Sequence, residues 1–290
     1  MKGFSLKGRC GGLRAERARK GSDPVTELSM IVPAYNEAQR IGATLTALES
    51  YCARKARERV QTEVIVVCDG CRDKTREVVE TFIGRLPLRV IHYAVNRGKG
   101  YAVRRGIAAS LGEVVLFLDA DGSTPVGEVD RLALPVRRGL TDVVIGSRRT
   151  PDARIGAAQP WFRRVLGGFF AWHTRKLLGL TVKDTQCGFK VFGGAFARDL
   201  FSRLTCDGFA FDLELLVEAR EQGACVWECG VMWREKAGST VRPLRDGLRM
   251  LRTAWSLRFR YPPQPAHPAN RLWAIRRLAP ATGHSEGQQT

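Results

Sequence analysis

The sequence predicts an α/β fold, a mostly parallel central sheet with helices on both faces. Three observations point there. Short apolar runs rich in β-branched residues recur between stretches with helical spacing. The runs are apolar almost throughout, as strands buried on both faces are. The polar, glycine-bearing connections that follow them would then share one edge of the sheet, where ligands of open α/β folds sit.

Leu28–Pro33 reads as the first strand, closed by the loop Pro33-Ala-Tyr35-Asn-Glu37 and followed by Ile41, Leu45, Leu48 and Cys52 at helical spacing. Val64–Val67 is a second strand that delivers Cys68, Asp69 and Gly70 to its far end, and Asp73 opens a helix running through Val78, Val79 and Phe82. Leu88–Tyr93 is the third strand, Lys99–Leu111 the third helix, Val114–Leu118 the central strand and Asp142–Gly146 a fifth, leading into Ser147-Arg148-Arg149. The rhythm changes near residue 150. Residues 151–160 read as a loop, Trp161–Leu178 as an amphipathic aromatic stretch, Phe211–Leu216 as the start of a helix and 224–234 as a late strand. Arg242–Arg260 is a basic amphipathic helix with Leu244, Leu248, Leu251 and Trp255 one to two turns apart.

With 290 residues, 44% of them hydrophobic, the chain can bury one substantial core. The expected organisation is a basic leader at 1–26, one domain at 27–241, the basic helix at 242–261 and a Pro-, Ala-, Gly- and Gln-rich tail at 262–290. A net charge of +18 and an isoelectric point near 10.2 imply attraction to a polyanion: nucleic acid, an acidic membrane surface or a phosphorylated substrate. Residues 1–24 are basic and lack the apolar segment of a secretory signal, so the eight cysteines are expected to be reduced thiols of a cytoplasmic protein. The unequal spacings Cys68–Cys71 and Cys225–Cys229 match no zinc ribbon or finger. No stretch approaches the ~18 apolar residues of a membrane span, so the chain is expected to lie on a bilayer rather than cross it.

The central strand ends in Asp119-Ala-Asp121-Gly122. Carboxylates two apart share a face of an extended chain and suit a divalent cation carrying a diphosphate, although the same residues also make an ordinary polar turn. Asn96-Arg-Gly98-Lys99-Gly100 opens a helix after a strand, where backbone amides and the helix dipole favour an anion. Val103 stands where a dinucleotide fingerprint has its third glycine, and no Walker A loop is present. Each loop alone is explained by a turn. Together, 33–37, 69–75, 96–100 and 119–124 supply what a nucleotide sugar requires: hydrogen bonds for a base, a carboxylate for ribose, and acids for a cation that offsets charge on a departing diphosphate.

These four motifs resemble the inverting glycosyltransferases of family 2, which implies a Rossmann-like single domain of the GT-A type. Asp184-Thr-Gln-Cys-Gly-Phe-Lys190, Phe211-Asp-Leu-Glu-Leu-Leu216 and Trp233-Arg-Glu235 followed by Gly238-Ser239 are similar to the dolichyl-phosphate β-glucosyltransferases, and the likeness runs from about residue 28 to 261. The resemblance implies that Pro33, Tyr35, Glu37 and Asp69 hold uridine and that Lys99 approaches the base or diphosphate. It implies that Asp119 and Asp121 hold ribose and a Mg²⁺ or Mn²⁺ ion. Asp184 and Asp212 fall near the reacting centre, and Arg148 and Lys190 toward the acceptor phosphate.

The implied reaction is a single displacement of UDP from UDP-glucose by a polyprenyl phosphate, at the cytoplasmic face of a membrane. The helix at 242–260 and Trp161, Phe162, Phe169, Phe170 and Trp255 would then enter the headgroup layer, although such stripes are also the pattern of core packing. Relatives usually carry two acids and a serine where this chain has Cys68-Asp69-Gly70-Cys71, and eukaryotic ones carry an amino-terminal membrane span not found in this sequence. GDP-mannose or another nucleotide sugar, or a soluble acceptor, is the alternative within the fold. A non-enzymatic nucleic-acid-binding protein is motivated by charge alone, and nucleic acid is not the expected partner.

Overall fold

The computed structural model describes residues 26–156, 161–236 and 243–262, with the side chains of 161–166 and 243–246 left aside. The leader through residue 25, the tail beyond 262, Gly238-Ser239 and the side chains of Trp161, Phe162 and Leu244 therefore lie outside the described residues. The chain runs β1 (Leu28–Ala34), α1 (Ile41–Arg57), β2 (Thr62–Asp69), α2 (Thr75–Glu80), β3 (Leu88–Tyr93), α3 (Lys99–Ala109), β4 (Val114–Leu118), α4 (Glu128–Arg137) and β5 (Val143–Ser147). It continues through β6 (Arg154–Ile155), α5 (Trp161–Leu178), β7 (Phe189–Gly193), α6 (Gly194–Arg203), α7 (Phe211–Glu221), β8 (Val226–Gly230), β9 (Met232–Trp233) and α8 (Pro243–Arg260).

Seven strands form one sheet in the order β3-β2-β1-β4-β7-β5-β8. All neighbours are parallel except at β7, which runs antiparallel to both β4 and β5. The expected mostly parallel sheet is present, and each strand divides its side chains between two cores as the pleat requires. Met30, Val32, Val64, Val66, Leu116 and Val191 meet Ile41, Leu45 and Leu48 of α1, Val79 of α2 and Leu132 of α4 on one face. Ile31, Ile65, Val67, Phe117, Ile145 and Phe192 meet Val103 and Ile107 of α3, Leu200 of α6 and Leu213 of α7 on the other. At roughly 1.5–3 kcal/mol for each large aliphatic side chain buried, these two layers dominate the stability of the sheet.

Beyond β4 the structure contains elements that the sequence reading does not name, among them α4 and the short β6 inside the expected 151–160 loop. The block ending at Lys190 runs directly into β7, a strand hidden in the sequence by a lysine at its second position. Helices α4 and α6 carry breakers that mask them: Pro135 lies inside α4, and α6 begins after Gly193-Gly194. The single late strand divides at Val231, so that β8 joins the main sheet beside β5 while β9 pairs with β6.

Helix α8 packs on α5 and α7. Ala254 and Leu257 enter the core, whereas Leu248, Trp255 and Phe259 point outward. On α5, Phe170 packs against the core while Phe169 and Trp172 are exposed, which reverses the expectation for Phe170. A chain of ring contacts links the two helices, Trp172–Phe169 at 6.1 Å, Phe169–His173 at 6.1 Å, His173–Trp255 at 6.5 Å and Trp255–Phe259 at 6.4 Å. Among the described residues no helix is long and apolar enough to cross a membrane.

Candidate active site

Parallel β1, β2, β4 and β5 all end at one edge of the sheet, and antiparallel β7 starts there. The segments 34–37, 69–75, 119–124, 147–149 and 184–188 therefore meet on one rim, with Asp69 and the Asp119/Asp121 pair on the same side of the molecule. Pro33 lies in β1 opposite Val67 of β2, and Tyr35 is half-buried just beyond it.

Lys99, at the start of α3, places its Nζ 2.6 Å from Asp119 Oδ1. Burial works against the ammonium charge, but Asp119, Asp212 and Asp121 outweigh it and hold Lys99 above the ordinary lysine range. Asp121 Oδ1 accepts the Ser123 N–H at 2.9 Å, closing the loop on itself. Glu37 accepts from Arg40 Nε at 2.6 Å; burial nevertheless raises its carboxyl, and Asp121 and Asp119 add to the rise. Lys99, Glu37 and the two aspartates thus share one electrostatic neighbourhood.

Asp69 is buried, and its carboxylate accepts three hydrogen bonds from the next loop: Asn96 Nδ2 at 2.9 Å, Arg97 N–H at 2.7 Å and Gly98 N–H at 2.8 Å. The resemblance implies a uridine contact for this acid; within the fold it braces the loop that precedes Lys99. Charge-assisted bonds of this kind are about twice as strong as neutral ones, so Asp69 fixes the 96–98 backbone.

On the other side of β7, Asp184 holds Arg148 at two points, Nε to Oδ2 at 2.8 Å and an Nη to Oδ1 at 2.9 Å, and also accepts the Arg148 backbone N–H at 2.9 Å. Burial alone would raise the Asp184 carboxyl; the Arg148 guanidinium overrides it and brings the value down to about 2. Glu228 fixes this pair from below by accepting the N–H groups of Lys183 at 2.8 Å and Asp184 at 2.7 Å. Arg148 keeps 28% of its side chain exposed and lies 5.6 Å from the Trp233 ring centre.

Lys190 is placed differently from the expectation that it meets a phosphate. Its side chain is fully buried, and Nζ donates to Asp212 Oδ1 at 2.6 Å, Cys187 O at 2.8 Å and Thr185 O at 3.2 Å. All three ammonium hydrogens are thereby used inside the protein. Lys190 and Asp212 form a paired charge beneath the rim, while burial still pushes the Asp212 carboxyl up against the pull of Lys190 and Lys99.

Among the described residues no three His, Cys, Asp or Glu side chains are grouped to enclose a metal ion. Two neighbouring aspartates nonetheless suit Mg²⁺ or Mn²⁺, hard cations that in nucleotide sites take one or two carboxylates and complete their shell with phosphate oxygens and water. Two further residues shape the site without having been marked in the sequence. Gly188 lets Asp119 lie against the chain, and Glu228 orients the Asp184 segment; the glycine belongs to the Asp184–Lys190 motif, whereas Glu228 lies in a strand that carries no motif.

A strand-end rim with an acid pair, a loop lysine and an arginine–aspartate pair across an antiparallel insert defines a GT-A glycosyltransferase domain. The mannosyl-3-phosphoglycerate synthase of Rubrobacter xylanophilus shares this fold, with a TM-score of 0.58 at 20% identity over 81% of this chain and 74% of that one. The profile of glycosyl transferase family 2 matches residues 29–203, and the chain belongs to that family. It is 34% identical over 243 residues to a dolichyl-phosphate beta-glucosyltransferase of Dictyostelium discoideum, covering 81% of this chain and 74% of the relative. It is 36% identical over 252 residues to the Homo sapiens protein of the same name, covering 82% and 76%. The protein is a glycosyltransferase.

Proposed function

We propose that this enzyme transfers glucose from UDP-glucose to a polyprenyl phosphate of the dolichyl type, with inversion at the anomeric carbon, at the cytoplasmic face of a membrane. The observation that carries the reading is the pairing of two charge sets on one rim: Lys99 with Asp119 on one side of β7, and Arg148 locked by Asp184 on the other. The first suits a nucleotide diphosphate, the second a phosphate monoester. The likeness to the dolichyl-phosphate beta-glucosyltransferases of Dictyostelium discoideum and Homo sapiens supports both the sugar and the lipid.

A phosphate monoester has a second pKa near 6 and is largely ionised at neutral pH, so the displacement needs no strong general base. An acceptor oxygen attacks the anomeric carbon while the bond from that carbon to the UDP oxygen breaks, and the electron pair leaves with UDP. Arg148, pre-oriented by its two-point contact, neutralises and aims the acceptor. Asp184, ionised down to about pH 2, holds no proton at neutral pH and acts by orienting Arg148. Asp212 and Lys190 form the buried floor below the reacting centre. Pro33, Tyr35 and Glu37 line the uridine side, with Asp69 acting through the 96–98 loop. A Mg²⁺ or Mn²⁺ ion held by Asp119 and Asp121 would supply positive charge to the departing diphosphate.

The outward face of α5 and α8 supports membrane docking. Phe169, Trp172, Leu248, Trp255 and Phe259 are exposed, with Arg249 and Arg252 exposed on the same helix α8. An apolar row flanked by arginines matches an anionic headgroup layer.

The deciding experiment is mass spectrometry of the products formed from UDP-glucose, Mg²⁺ or Mn²⁺ and polyprenyl phosphate, with UDP-GlcNAc and GDP-mannose in parallel. A glucosyl phospholipid formed fastest from UDP-glucose is the expected result. Faster transfer from GDP-mannose would overturn the donor, and sugar found only on a soluble acceptor would overturn the lipid.

A further inference from the structure

The turn that carries Asp69 is bracketed by two cysteines. Gly70 has φ of 62°, and its N–H donates to Cys68 O at 3.1 Å, which folds the chain back so that Cys71 returns beside Cys68. Cys71 packs against the core layer that contains Cys68, and its thiol lies within interaction reach of the Cys68 thiol. Cys68 is buried at the end of β2; Cys71 is partly accessible and its Sγ lies 3.4 Å from Ala34 O. Interaction with the Cys68 thiol draws the Cys71 thiol down to about 7 against the effect of burial, and a backbone hydrogen bond at Asn36 helps. That same contact, reinforced by burial, pushes the Cys68 thiol up. One accessible thiol with thiolate character beside a buried partner is the arrangement of an attacking and a resolving cysteine.

We propose that Cys68 and Cys71 are a reversible dithiol–disulfide pair, closed by exchange with a small-molecule disulfide such as oxidised glutathione, and that closure loosens the 96–98 loop. The Cys71 thiolate attacks one sulfur of the reagent and expels one thiolate. Cys68 then attacks Cys71 Sγ and expels the second. One disulfide is consumed and one formed, the protein loses two hydrogens, and both protons end on the two released thiols.

Closure reaches the loop because the contact has no slack. A Cβ at Gly70 would lie 2.3 Å from Asn96 N, so the turn is pressed against the backbone it supports. Asp69, between the two cysteines, makes the three hydrogen bonds that hold residues 96–98. Arg72 N–H, one residue beyond, donates to Asn36 Oδ1 at 2.8 Å and ties the turn to the 33–37 loop as well. A sulfur–sulfur bond of about 2.05 Å is far shorter than any contact between two separate thiols, so forming it moves the turn that positions Asp69.

The test compares the full-length wild-type protein in reduced and in oxidised glutathione, by unreduced peptide mapping and by amide hydrogen exchange. The expected result is an internal Cys68–Cys71 disulfide, exchange at Arg97 and Gly98 faster by about tenfold or more as charge-assisted hydrogen bonds are lost, and reversal by dithiothreitol. Cys71→Ser should show no acceleration in oxidised glutathione. A pair that stays reduced, a glutathione adduct without closure, or a disulfide with unchanged exchange at 97 and 98 would each overturn the proposal. No nucleotide or lipid enters the measurement, so it stands or fails independently of the glucosyl-transfer reading.

Discussion

Gly188 gives Asp119 the space it occupies. A Cβ at position 188 would lie 1.9 Å from Asp119 Oδ2, and Gly188 O accepts the Asp119 N–H at 3.1 Å. The acid at the end of β4 is therefore placed by the residue that leads into β7.

Gly188→Ala should displace the Asp119 carboxylate by roughly the width of a methyl group. Misplacement on the order of 1 Å costs about 100-fold in rate. Transfer assays are expected to show that loss while far-UV circular dichroism stays unchanged; full activity would mean that the position of Asp119 does not matter.

Asp121→Asn keeps the shape of the loop and removes one negative charge from the rim. Metal-stimulated transfer should fall by about 100-fold, with the thermal melt retained. Unaltered metal stimulation would place the ion elsewhere.

The Arg148–Asp184 pair makes stability depend on acid. The folded Asp184 value, about 2, lies below its ordinary 3.8, so its contribution is complete above the ordinary value and disappears as pH falls toward about 2. Urea unfolding of wild type and Asp184→Asn should show a stability gap that narrows by about 2 kcal/mol across that interval. A gap that does not change with pH would contradict the ion pair.

Lys190→Met leaves the buried Asp212 carboxyl without its partner. Removing one member of a buried pair costs roughly 3–5 kcal/mol, so a marked fall in the urea midpoint is expected. Lys190→Met/Asp212→Leu should recover much of it, and failure to recover would show that the two side chains contribute separately.

Leu248→Ser, Trp255→Ser and Phe259→Ser alter outward side chains and spare Ala254 and Leu257 in the core. Sedimentation with anionic vesicles should lose at least tenfold in affinity for the triple variant, given about 0.8 kcal/mol for each CH₂ group withdrawn from lipid. Undiminished binding would remove this face from membrane contact.

Strands β1, β2, β4 and β5 were legible because each carries an unbroken apolar run, β3 because its apolar residues persist around Arg89 and His92, and the acids of the rim were legible because they stand where the runs stop. Strand β7 was not, because Lys190 reads as a surface residue until Asp212, twenty-two positions later, is seen to neutralise it inside the core. The contacts of Asp69 with Asn96, Arg97 and Gly98 and of Lys190 with Asp212 were not legible, because contacts between distant segments leave no local pattern. Glu228 escaped notice for the same reason, since it works on two backbone amides more than forty residues upstream.

Strand β7 also acts as a spacer. Asp119 follows β4, Arg148 follows β5, and β7 is hydrogen-bonded to both. Two ladder steps put the ends of those strands about 10 Å apart. The gap between where a nucleotide departs and where an acceptor arrives is thus measured out by main-chain hydrogen bonds, a ruler that side-chain substitution on either bank leaves at the same length.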